Sequence, residues 1–130
     1  MITCVLFVYL IAYLVRHTPP LEHFEETVIE KDYEIVQMEV TAYCPCVKCC
    51  GDWSDGHFAD GSEVGGKAIA ADPAHYDMGT EFVVPGYGTA VMKDVGGAIK
   101  GAHRLDLYFD KHNDALVYGH QYNVNVKVRK

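Results

Sequence analysis

The sequence predicts an all-β domain: a barrel of six short strands with one short late helix, preceded by an apolar N-terminal helix. Three observations predict it. Six segments downstream of Ile35 alternate apolar with polar residues or form short apolar runs, with turn residues between them. One stretch near the end, KHNDALVYG, carries helix signals instead. The chain has 130 residues, which bounds it to one domain with a real core plus an appendage. Short strands in that number are the signature of a barrel.

The appendage comes first. Residues 2–15, ITCVLFVYLIAYLV, are apolar without interruption. This is short of the roughly 20 residues of a membrane span and suits a signal-peptide core. No basic side chain precedes it and no small-x-small cleavage site follows, which favours an uncleaved membrane anchor over residues 1–16 against a cleaved signal peptide, with a buried core helix as the third reading. Arg16 and His17 on the downstream flank favour the opposite orientation by the positive-inside rule. Either targeting reading places the domain outside the cytoplasm, membrane-anchored or secreted. Residues 17–34, HTPPLEHFEETVIEKDYE, form an acidic linker in which Pro19 and Pro20 stop the apolar helix.

The domain is expected over residues 35–130. In IVQMEVTAY, Val36, Met38, Val40 and Ala42 alternate with Gln37, Glu39, Thr41 and Tyr43, the period of a half-buried strand. CPCVKCCG then places Cys44, Cys46, Cys49 and Cys50 within seven residues. Three accounts compete. The thiolates, with His57 nearby in sequence, suit a structural zinc. In an oxidising compartment two disulfides serve equally well. Free thiols are the third account. Cys4, in the apolar stretch, stands apart.

Residues 51–66 are a glycine-punctuated loop whose Asp52, Asp55 and Asp60 do not match the spacing of a calcium loop. KAIAADP brings the next strand, GTEFVVPGYG a strand ended by Pro85 and Gly86, and TAVMKD another. RLDLYF puts Leu105, Leu107 and Phe109 on one face and Arg104, Asp106 and Tyr108 on the other. Asp110 is the expected N-cap of the late helix and Gly119 its stop. QYNVNVKVRK closes the sheet.

The chemistry concentrates in residues 93–118, where Asp94, Asp106, Asp110 and Asp114 stand with Gly96, Gly97 and Gly101. Two strands joined by a glycine-rich loop would set Asp94 beside Asp106. Neighbouring carboxylates cannot both ionise cheaply, so one pKa rises and leaves a proton available for acid catalysis. The plainer reading is a hairpin with solvated acids. The net charge of −7 and the lack of any Lys/Arg cluster exclude nucleic acid as a partner and suit a neutral or cationic substrate.

The run DVGGAIKG, with Asp106 after it and ADP at residues 71–73 before it, resembles the 3D domain, named for three aspartates and found in small cell-wall-active proteins and in the catalytic barrel of lytic transglycosylase A. The resemblance covers about residues 36–130. It implies a double-psi β-barrel acting on peptidoglycan glycan strands. The implied reaction cleaves the bond between N-acetylmuramic acid and N-acetylglucosamine without water, leaves a 1,6-anhydro end and requires no cofactor. By the same resemblance Asp106 is the single acid/base, and Asp94 and Asp72 are companions that raise its pKa. Thr41 and Tyr43 lie near the groove, and Lys100 with the Gly96–Gly97 backbone binds glycan. The loop at residues 51–66 reads as a flexible flap that offers Trp53 or Phe58 to a sugar face, unless Trp53 plugs the barrel end. His103 is one residue more than the family pattern between loop and Asp106; in the strand rather than the loop, it would turn Asp106 away. Two alternatives stay open: a polysaccharide-binding module without catalysis, and a hydrolase using Asp94 and Asp106 as a conventional pair.

Overall fold

The structure, a computed structural model, describes residues 32–130. The apolar stretch and nearly all of the acidic linker lie outside the described residues. Among the described residues no helix is long and apolar enough to cross a membrane.

Six strands form a closed barrel: β1 (Tyr33–Tyr43), β2 (Ala68–Ala70), β3 (Glu81–Val84), β4 (Gly88–Asp94), β5 (Arg104–Tyr108) and β6 (Gln121–Arg129). Around the barrel they run β1-β5-β2-β4-β3-β6, so no strand edge is left open. β1 pairs in parallel with β5 and β2 with β4; the other contacts are antiparallel. All six expected strands are present. β1 starts two residues before the expected boundary, because Tyr33 pairs with Arg129 and its phenol donates to Glu81 of β3.

Alternation explains the core. Met38 and Val40 of β1, Leu105 and Leu107 of β5, Met92 of β4 and Phe82 of β3 are all buried inside the barrel. Each such side chain contributes about 1.5–3 kcal/mol through the water it sheds. β2 departs from alternation: all three of its residues are buried, because Ile69 points into the core while Ala68, on the outer side, is covered by Phe58 and Tyr108.

That position corrects the sequence expectation at its centre. β4 and β5 are consecutive in sequence but not neighbours in space; β2 separates them. There is therefore no β4–β5 hairpin, and Asp94 and Asp106 do not sit on adjacent strands.

Two short helices complete the domain. α1 (Val47–Cys50) and the 3-10 turn Gly51–Trp53 occupy the cysteine-rich segment, where Cys49 and Cys50 N–H groups both donate to the Cys46 carbonyl at 2.9 Å. The late helix, α2, spans His112–Tyr118 and stops as expected at Gly119, whose φ of 69° suits glycine and whose N–H donates to the Ala115 carbonyl at 3.0 Å. Asp110 is not its N-cap. Lys111 holds that position with extended backbone and no side-chain cap bond, while the Asp110 carboxylate adds to burial in raising the pKa of the Tyr108 phenol.

Candidate functional site

A cleft of about 620 Å³ opens on the barrel where β2, β4 and β5 meet, walled on the outside by residues 45–64. Its floor is built from backbone pairing. Ala70 of β2 pairs with Asp106 on one side and with Asp94 on the other. The second pairing needs a bulge: Ile69 faces Met92, but Ala70 faces Asp94, so the ladder skips Lys93. A bulge re-aims the residue that follows it, and here it delivers Asp94 to the cleft. The Lys93 carbonyl, freed from the ladder, accepts the Asp60 N–H at 3.0 Å.

Asp106 is half-buried and lines the cleft. Its Oδ1 accepts the Thr41 hydroxyl from β1 at 2.9 Å, matching the register in which Thr41 and Asp106 are partners. Burial raises its pKa; the Thr41 hydrogen bond and Arg104 oppose the rise, and Asp94 adds to it. The sequence expected the like charge to be the main cause. With β2 between the two acids, burial takes that role instead. His103 does not disturb the register, because it lies in the turn before β5. Its carbonyl accepts the Glu39 N–H at 2.8 Å and its Nδ1 lies 3.0 Å from the Gln37 carbonyl.

Asp94 lines the cleft as an acceptor of three hydrogen bonds. The Tyr43 hydroxyl donates to Oδ2 at 2.6 Å, and the Ala59 and Val95 N–H groups donate to Oδ1 at 3.1 and 2.9 Å. Burial, then the bond to Asp94, pushes the Tyr43 phenol far up, so Tyr43 is a fixed donor. Gly96 and Gly97 also line the cleft. A Cβ on Gly96 would come within 2.7 Å of Ile99, the buried anchor of this loop.

Asp72 is buried but not among the cleft-lining residues, and neither is the exposed Lys100. Asp72 clamps the glycine loop from behind, accepting the Gly101 N–H at 2.7 Å and the Ala74 N–H at 3.0 Å. Those two donors, Gly101 first, hold its carboxyl below the usual range, with Lys100 and His75 adding to the effect. Asp72 therefore does not figure among the groups that raise Asp106. Gly101 has a φ of 89°, which a residue with a side chain adopts only with strain.

The outer wall is tied down. Phe58 is buried edge-on against Tyr108, ring centroids 5.0 Å apart, and so is not available to stack on a ligand. Trp53 is 83% exposed on the cleft rim and does not plug the barrel.

Beside the cleft, Cys44, Cys46, Cys49 and His112 lie close enough together to bind a metal ion, their ligand atoms all within 4.8 Å of one another. Burial pushes the Cys44 thiol up to about 12, and the hydrogen bond from Cys44 draws Cys46 down to about 6. Two expected members are elsewhere. Cys50 turns its thiol to the Cys44 carbonyl at 3.2 Å, because one turn of α1 points Cys49 and Cys50 in different directions. His57 places its Nδ1 3.2 Å from the Asp55 carbonyl, in the outer wall. His112 was missed, being 63 residues from Cys49 with no motif to link them. All four of these cysteines are free.

Residues 67–129 match the profile of the 3D domain, a span that contains Asp72, Asp94 and Asp106. The chain carries a 3D domain. Two Bacillus subtilis (strain 168) proteins are similar to it. YabE, named for cell wall shaping, is 31% identical over 112 residues, covering 80% of this chain and 26% of YabE. YocH, a cell wall-binding protein, is 42% identical over 62 residues, covering 48% of this chain and 21% of YocH. The chain thus spans about a quarter or less of these relatives. Thr41, Tyr43 and the cysteines lie upstream of the matched 3D span, so the cleft combines the 3D domain with a wall that precedes it.

Proposed function

We propose that this 3D domain is a lytic transglycosylase of peptidoglycan, with Asp106 as its general acid/base. The observation that carries the reading is a partly desolvated carboxyl with a raised pKa, facing an open cleft, opposite a second carboxylate already furnished with donors. Protonated Asp106 gives its proton to the glycosidic oxygen between N-acetylmuramic acid and N-acetylglucosamine as that bond breaks. The resulting carboxylate then takes the proton of the C6 hydroxyl while O6 attacks C1, closing the 1,6-anhydro ring. Donor and acceptor are the same side chain, so neither water nor a cofactor enters. Thr41 occupies Oδ1 and leaves the other oxygen to carry the proton. Asp94, oriented by Tyr43, offers negative charge to the positive sugar ring. Gly96 and Gly97 present backbone to the glycan, and Asp72 positions their loop through Gly101.

The two parallel pairs β1/β5 and β2/β4, flanking antiparallel β5/β2, support the double-psi assignment that belongs to this reading. The cell-wall names of YabE and YocH support a peptidoglycan partner and a site of action outside the cytoplasm, to which residues 1–16 would deliver or tether the domain. One observation favours a second reading: YocH is named for binding, so a non-catalytic polysaccharide module is the rival. Mass spectra of peptidoglycan incubated with the full chain separate them. Anhydro-muropeptides support transglycosylation; reducing ends mean hydrolysis. Retention on the wall without product means binding alone.

A further inference from the structure

We infer that Cys44, Cys46, Cys49 and His112 bind one structural zinc ion, which fastens the outer wall of the cleft to α2. His112 decides against the disulfide account. Its Nδ1 comes from the opposite part of the sequence to stand 3.4, 3.5 and 3.6 Å from the Cys44, Cys46 and Cys49 sulfurs. Disulfides would give an imidazole no reason to be there. Zinc with sulfur at about 2.3 Å and nitrogen at about 2.0 Å in a tetrahedron spaces its donors about 3.5–3.8 Å apart. The three sulfur-to-nitrogen distances already meet that spacing. The Cys44–Cys49 and Cys44–Cys46 sulfur distances, 3.4 and 2.9 Å, must both open towards about 3.8 Å, the second by more.

Three thiolates and one imidazole form a closed, soft donor set that selects zinc and keeps no position free for substrate. Cys44 is buried, Cys46 and His112 half-buried and Cys49 exposed, so the ion would be covered by protein on all but the Cys49 side. Its mechanical effect follows from connectivity. Cys44 immediately follows Tyr43, the donor to Asp94, while Cys49 lines the cleft and Trp53 follows it by one turn. A bond from this segment to α2 holds all three against the barrel. The zinc set is independent of what the cleft binds.

The test uses the full chain purified under reducing conditions. One zinc per chain is expected by elemental analysis, and X-ray absorption at the zinc edge should resolve three sulfurs and one nitrogen. Cys49→Ser and His112→Ala should lose the ion, whereas Cys50→Ser and His57→Ala should keep it. Four sulfurs in the spectrum, or loss with Cys50→Ser and retention with His112→Ala, would overturn the ligand set. A chain that is metal-free under these conditions and does not take up added zinc, or one that when purified without reductant has a mass lower by two hydrogens per bridge, would overturn the site altogether. The spectrum of the unmutated chain carries the answer even where a variant fails to fold.

Discussion

Asp106→Asn is the substitution that best separates chemistry from architecture. Asparagine keeps the size of the side chain and an oxygen to accept the Thr41 hydroxyl at 2.9 Å, so the β1–β5 contact survives. What disappears is the ability to give and take a proton. A positioned acid/base contributes about 10²–10⁴ in rate, so the variant should release anhydro-muropeptides at least about a hundredfold more slowly, some 2.7 kcal/mol in the barrel's transition-state stabilisation. Stability should move the other way. Because burial raises the Asp106 pKa above its ordinary 3.8, its contribution to stability is fully present below that value and is lost as pH rises through the folded pKa. Each unit of such a shift is worth about 1.4 kcal/mol, and asparagine does not pass through it. At neutral pH the variant should therefore melt at or above the wild-type temperature, and the difference should vanish in acid. Product mass spectra and thermal melts across pH on the same preparations read both effects. Wild-type product release by Asp106→Asn would refute the acid/base role; loss of product accompanied by a collapsed melt would show the residue to be structural.

Asp72→Ala should lower the melting temperature at neutral pH by stranding the Gly101 and Ala74 N–H groups. Since the Asp72 pKa is depressed, that stabilisation exists above about 3.8 and is lost as pH falls through the folded value, so the penalty should fade in acid, and a penalty constant with pH would contradict the clamp. Asp94→Asn should impair turnover and also lower the melting temperature, because one amide oxygen cannot accept both from the Tyr43 hydroxyl and from the Ala59 and Val95 N–H groups on the other side; unchanged turnover would remove Asp94 from the mechanism. Trp53→Ala should leave stability unchanged, the ring being 83% exposed, but weaken glycan binding by about fivefold, on the order of 1 kcal/mol, as read by calorimetry; an unaltered affinity would take Trp53 off the binding rim.

Much of the barrel was legible because strand alternation survives in single segments: Val36 to Tyr43 and Arg104 to Phe109 read as strands from their own period. Pairing is not local, and that is where the reading stopped. Nothing in TAVMKD or RLDLYF reveals that a three-residue strand from elsewhere lies between them. The same gap misassigned the cause of the Asp106 shift, since a hairpin implies adjacent acids and the barrel does not. The bulge at Lys93 leaves no mark in the sequence, nor does the approach of His112 to three thiols. Asp110 failed as a cap for a local reason: the helix starts one residue later than its best capping side chain.

Ala70 fixes a length. Being the common ladder partner of Asp94 and Asp106, it sets their backbones two strand spacings apart, about 10 Å. That interval belongs to the hydrogen-bond lattice and not to the residues that connect β4 to β5. The connection can consequently grow or shrink without retuning the two acids, as the accommodation of His103 in its turn illustrates. Loop length is thereby left free to vary with the ligand while the interval between the carboxyls stays constant.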